Sequence, residues 1–213
     1  ERVIIEYNGM WLVSNFEKMQ LPTGWGVEQQ ITCVDGSTFQ MYMANMKSIF
    51  MDMIKNTDMV IFNRCKKEDP LPTYRRGIKV ANQRAEVIFE DEEGELGDIF
   101  QDEMPFDMNA PVIEILPEDY GIWFVDAMDH PENYEGKTVK FKARVMKPRG
   151  MGSKFFVPGR TAMTCCADDT TFLGYVCKSA YAPKLTPGEW VEVTAKVGIE
   201  KRNEYQGEEG IVL

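Results

Sequence analysis

Five residues in one short stretch carry the side chains best suited to chemistry: Arg160, Cys165, Cys166, Asp168 and Asp169. Adjacent cysteines on an extended strand point to opposite faces, so one thiol is expected in the core and the other toward a pocket. Thiolate and carboxylate can together ligate zinc or another soft metal. The same thiols could serve redox chemistry, or fill space as small buried hydrophobes. Asp168-Asp169 also suits a turn, because short carboxylates bond their own backbone there, and Arg160 is near enough in sequence to pair with either. These five are the candidate ligand-binding residues, and no metal is specified by them. The five cysteines of the chain form no CxxC pair, which excludes zinc-ribbon and thioredoxin motifs. His130 is the one histidine, which excludes three-His zinc catalysis and Cys2His2 fingers. It sits in Asp129-His130-Pro131-Glu132 and reads as a polar loop residue.

A second constellation is cationic. Residues 136–160 hold eight Lys/Arg and no Asp/Glu, whereas residues 86–119 hold 13 Asp/Glu and no Lys/Arg. Lys140, Lys142, Arg144, Lys147 and Arg149 form a candidate basic strip with Phe141, Phe155 and Phe156 interleaved. Basic grooves with stacking aromatics bind single-stranded nucleic acid on OB-folds. Against that use, Phe141 falls on the apolar side of its strand, and the whole chain carries a net charge of −10, which repels phosphates at long range. Docking of the strip onto the acidic segment is the more economical expectation. Lys147 to Lys154 lacks the spacing of a phosphate-binding loop.

The elements that must position these residues divide into two parts, 1–110 and 111–213, with the three prolines between Met104 and Pro117 marking the change. In the first part, Val3-Ile4-Ile5 and Met10 to Val13 are expected as short strands. Met46, Ile49, Phe50, Met53 and Ile54 form one helical face, with Ser37 or Thr38 as its cap. Met59 to Phe62 is expected as a buried strand, Lys66 to Tyr74 as a loop, and Ile78–Val80 and Ala85–Phe89 as further strands, the last leading into an acidic turn at 90–95. The segment 32–39 also echoes 164–172, a weak sign of internal duplication.

The second part alternates more cleanly. Val139, Phe141, Ala143 and Val145 interleave with Lys140, Lys142 and Arg144; Val191, Val193, Ala195 and Val197 interleave with Glu192, Thr194 and Lys196. With strands near 154–166, 170–177 and 211–213, about five strands are expected. The fold class is therefore mainly β, α+β overall, with an OB-like five-stranded barrel following an N-terminal α+β domain. A small β-sandwich is the competing architecture.

Asn133-Tyr134-Glu135-Gly136-Lys137, the run Arg160 through Cys165-Cys166-Ala167-Asp168, and Trp190-Val191-Glu192-Val193 together resemble the soluble C-terminal domain of an uncharacterised bacterial family of two-component permease subunits, over about residues 111–213. The resemblance implies an extracytoplasmic or membrane-associated partner domain rather than an enzyme. No run of 18 apolar residues is present to span a membrane. The expected function is thus a non-enzymatic cell-envelope binding or accessory domain that needs no cofactor. Its partner is a protein, such as a membrane permease, or a small ligand. The competing readings are an OB-type nucleic-acid binder and a thiol-dependent metal-binding protein.

Overall fold

The structure is a computed structural model that describes residues 2–97, 104–164 and 170–213. The chain divides into two compact units, with the main boundary between residues 101 and 102. Pro105, Pro111 and Pro117 all lie beyond it. No helix among the described residues is long and apolar enough to cross a membrane.

The first unit is built on three parallel strands in the order β1 (Ile31–Asp35), β2 (Met59–Asn63), β3 (Glu86–Phe89). The helices α2 (Phe39–Ile54) and α3 (Leu71–Ala81) make the crossovers, as parallel pairing requires. Phe39, Phe62, Tyr74 and Phe89 pack ring against ring at its centre, with centroids 4.6 to 5.0 Å apart for Phe39–Tyr74, Phe39–Phe62 and Phe62–Phe89. Several sequence expectations change here. Residues 71–81 are one helix, not a loop followed by a strand. Pro72 occupies its first turn, where the missing N–H costs nothing, and Leu71, Tyr74 and Ile78 are its buried side. Residues 3–5 form no strand, and Val13–Glu17 is a short helix, α1. Thr38 does cap α2, but without a side-chain bond to the helix; Asp35 instead accepts the Ser37 N–H at 3.0 Å and the Ser37 hydroxyl at 2.6 Å. The acidic turn is a hairpin tip, closed by the Glu90–Glu95 bridge.

The second unit holds β4 (Ile113–Ile115), α4 (Tyr120–Asp129), β5 (Thr138–Met146), β6 (Phe155–Met163), β7 (Thr170–Gly174), β8 (Cys177–Lys178), β9 (Trp190–Lys196), β10 (Gly198–Lys201) and β11 (Glu209–Val212). The main sheet runs β4–β5–β6–β7, with β9 on β5 and β8 on β6, while β10 and β11 pair as a hairpin. Among the described residues eight strands replace the five expected, because the segment 170–177 breaks at Tyr175–Val176 and two further short strands, β4 and β10, flank the alternating ones. The pairings form no closed barrel among the described residues. The molecule is a mixed α+β protein. The suspected echo has different structures in its two copies: Ser37 to Phe39 turns into a helix, whereas the aligned Thr170 to Phe172 is strand.

Two contacts shape this sheet. Gly159 and Gly174 face each other across β6 and β7. A Cβ on Gly159 would stand 2.2 Å from the Leu173 carbonyl oxygen, and one on Gly174 would stand 2.6 Å from that of Pro158. Only glycine lets the two backbones approach so closely. Near the chain end, the Tyr205 hydroxyl accepts the Val176 N–H at 3.1 Å and donates to the Ile211 carbonyl at 2.5 Å. Its ring lies on Gly210, where a Cβ would come within 2.5 Å. α4 covers the core, with Trp123 against Phe141 at 4.9 Å and Phe124 stacked on Tyr175 at 4.8 Å.

Two substitutions check this account. Gly159→Ala is expected to destabilise the chain by about 3 kcal/mol, the upper part of the range for overpacking, read from the urea midpoint. Tyr205→Phe keeps the ring and removes both hydroxyl bonds; a loss of about 1–3 kcal/mol is expected. An unchanged midpoint for either variant would contradict the role given to that residue.

Candidate functional site

Pleating alone turns the cations of β5 outward. Val139, Phe141, Ala143 and Val145 are buried, so Lys140, Lys142 and Arg144 take the opposite face, as period-two alternation demands. The antiparallel neighbour β9 contributes Trp190 and Glu192 to the same face, in register with Arg144 and Lys142. Arg160, on β6, donates to the Lys142 carbonyl oxygen at 3.2 Å. Its guanidinium lies 5.4 Å from the Trp190 ring centroid and 6.0 Å from that of Tyr120. The Lys142 ammonium lies 5.8 Å from the Trp190 ring. Trp190 is 52% exposed, so a large aromatic surface with two cations near it faces solvent.

The strip of five cations does not form a free phosphate track. Lys140 sits between Glu114 at 3.6 Å and Glu192 at 3.7 Å. Arg144 donates from Nε to the Gly188 carbonyl oxygen at 3.1 Å, and Lys147 from Nζ to that of Leu185 at 2.6 Å. Arg149 lies apart, in the turn that follows β5. Glu114 belongs to the acidic stretch, and β4 runs parallel to β5 with Glu114 paired to Lys140. One strand of that stretch therefore lies beside the cationic one within this unit. Exposed ion pairs of this kind contribute little to stability, but they occupy charges that a polyanion would need.

Of the first constellation the structure describes Arg160 alone. Cys165, Cys166, Asp168 and Asp169 lie outside the described residues, and so does the proposed pairing of Arg160 with either aspartate. Of the other thiols, Cys33 is exposed, whereas Cys65 and Cys177 are buried. Burial pushes both buried thiols up to about 11, so they are protonated and weakly nucleophilic at neutral pH. His130 lies near Glu132, with Nδ1 at 3.7 Å from its carboxylate.

Three features escaped the sequence reading. Trp190 entered the sequence reading only as part of the family motif, although a tryptophan next to a strand end could have flagged a surface aromatic. At the carboxyl ends of β1 and β2, Asp35 accepts from Arg64 at 2.6 Å. The bond from the Ser37 hydroxyl, and then that from Arg64, holds the Asp35 carboxyl below its ordinary value, and Arg64 takes the left-handed conformation at φ 54°. The third is an open groove of about 530 Å³ between the turn Pro148–Met151 and the segment Lys201–Glu204. Loops so distant in sequence give no periodic signal of meeting.

The thiols supply a prediction. Brief alkylation with iodoacetamide at pH 8 is expected to modify Cys33 and to spare Cys65 and Cys177 until the chain is unfolded, read by peptide mass. The raised thiols also make stability fall as pH rises from about 9 toward about 11. Over that interval the unfolded chain releases thiol protons that the folded one retains. Rapid labelling of Cys177 in the native chain would contradict its burial.

The model of the DUF1980 C-terminal domain matches residues 95–212. The match takes in residues 95–119 of the acidic stretch as well as the whole of the strand-rich unit's sheet and helix. No curated protein matches the chain.

Proposed function

The chain belongs to the DUF1980 C-terminal domain family, and we propose that it acts as a non-enzymatic binding or accessory domain of the cell envelope, with a membrane permease as its partner. The observation that carries this reading is the outer face of β5 and β9. There Trp190 is half exposed, with Lys142 and Arg160 within 6 Å of its ring. Tryptophan and arginine dominate the energetics of protein interfaces, because a rigid ring buries a large area at low entropic cost while the guanidinium fixes orientation. The resemblance to permease-subunit domains supports the same face. Arg160 and Trp190 belong to separate pieces of that motif, thirty positions apart in the chain, and they stand 5.4 Å apart in space.

The unit is further read as an OB-type barrel. Its support is the strand order, with β9 and β6 on opposite sides of β5 and β7 beyond β6. The parallel bridge of Val176 with Val212 supplies the contact by which the last strand would complete the ring. A nucleic-acid role for the basic strip is less well supported, since Lys140, Arg144 and Lys147 are engaged as described.

A photo-crosslinking residue placed at Lys142, in cells that carry the natural full-length protein, tests the partner. The expected result is an adduct with one integral membrane protein, and its loss when Trp190→Ala is added. Absence of any membrane-protein adduct, or an adduct indifferent to Trp190→Ala, would overturn the reading.

A further inference from the structure

We propose that the groove between the Pro148–Met151 turn and the Lys201–Glu204 segment is a binding site for the phosphate group of a small phosphate ester. The groove holds about 530 Å³, within the usual range for small-ligand sites. It is separate from the Trp190 face and does not depend on it. Its walls carry Arg149, Lys201 and Arg202, against one carboxylate, that of Glu204.

The three cations have different tasks. Arg202 is a fixed wall. Its guanidinium lies 4.2 Å from the Phe155 ring centroid, and it pairs with Glu204 at 3.1 Å and Glu200 at 3.5 Å. Its side chain is only 15% exposed, and those carboxylates largely neutralise it. Arg149 and Lys201 are exposed, and neither has a carboxylate partner within 4 Å among the described residues; Glu209 stands across the ladder from Lys201. A forked guanidinium and a compact ammonium lining one groove suit a tetrahedral oxyanion, the first by paired N–H bonds and the second as a point charge.

Backbone bonds shape both walls. The Met151 N–H donates to the Pro148 carbonyl at 3.3 Å, which closes the first turn. The Gly207 N–H donates to the Arg202 carbonyl at 2.9 Å, and the Tyr205 hydroxyl ties the second loop to Val176 and Ile211. Loops already ordered do not charge their ordering entropy against binding.

The test is a titration of the full chain with inorganic phosphate at constant ionic strength, followed through backbone amide resonances. Saturable shifts at 148–151 and 201–204 are expected. Binding should weaken at least tenfold in the double variant Arg149→Gln/Lys201→Gln, and remain unchanged in Lys196→Gln, which removes an exposed cation of β9. Both groove substitutions are on exposed side chains, and an otherwise superimposable spectrum verifies the fold. Unsaturable shifts, shifts reproduced by chloride alone, or equal affinity in the double variant would overturn the proposal.

Phosphatidylcholine vesicles containing phosphatidic acid identify the source of the phosphate. Co-sedimentation that inorganic phosphate blocks assigns a lipid headgroup. Phosphate binding without co-sedimentation assigns a soluble ester, and each result upholds the site. A single-stranded oligonucleotide that displaces phosphate more strongly as its length increases would overturn the small-ligand assignment. The Lys142 crosslink and this titration read different surfaces, so either can fail alone.

Discussion

One hydroxyl joins three parts of the strand-rich unit. The Tyr205 oxygen accepts from the Val176 N–H and donates to the Ile211 carbonyl. It therefore ties the break after β7 to the last strand, while its ring lies on Gly210. A phenol can do this because its oxygen both accepts and donates. Without it, that N–H and that carbonyl would each lose one partner in a partly buried setting. Much of the unit follows from this join. The Leu213 N–H donates to the Val176 carbonyl, and the Lys178 N–H donates to that of Leu213, so the chain end is stitched along the break. The 202–208 loop, which bears one wall of the basic groove, hangs from the same hydroxyl.

The close approach of Gly159 and Gly174 complements it two residues before the Val176 bond. Here the constraint is the absence of side chains. β6 and β7 pass so near each other that a Cβ on either glycine would meet a carbonyl oxygen. On the buried face of the sheet, α4 lays Trp123 and Phe124 against Phe141 and Tyr175. The outer face of the same strands is left to the polar alternates, and there Arg160 reaches the Lys142 carbonyl and the Trp190 ring. Core and candidate binding face are two consequences of one pleat.

Electrostatics acts locally in this chain rather than through its total. A net charge of −10 suggests uniform repulsion of anions, yet the cations of 136–160 have individual roles. Lys140 meets Glu114 and Glu192, Arg144 and Lys147 bind backbone carbonyls, and Lys142 and Arg160 approach Trp190. Arg149 belongs to a separate groove. Surface charges more than a Debye length apart are screened from each other at physiological salt, so the immediate neighbours decide what each cation does.

The sequence by itself determined the elements whose signal is a period. β5 and β9 follow from strict alternation, β2 from a short apolar run between polar flanks, and the second half of α2 from the spacing of Ile49 to Ile54, whereas Met46, expected on the same face, falls at a kink where the backbone leaves helical values (φ −133°, ψ 29°). It also exposed the opposed charge blocks and the family resemblance of the C-terminal half. It misread 71–81, because Pro70 and Pro72 look like loop residues until the first-turn position of Pro72 is known. Nor could it count the strands after residue 170, where hydrogen bonding to distant segments ends β7 and starts β8. The tertiary structure alone decided which side chains meet. Arg160 and Trp190 come together because β6 and β9 flank the same strand, and Arg149 and Lys201 line one groove because the turn after β5 and the end of β10 lie near each other. Periodicity records the side of a strand on which a residue lies. It carries no record of the neighbour that strand will take, since pairing between distant segments depends on closure of the whole chain.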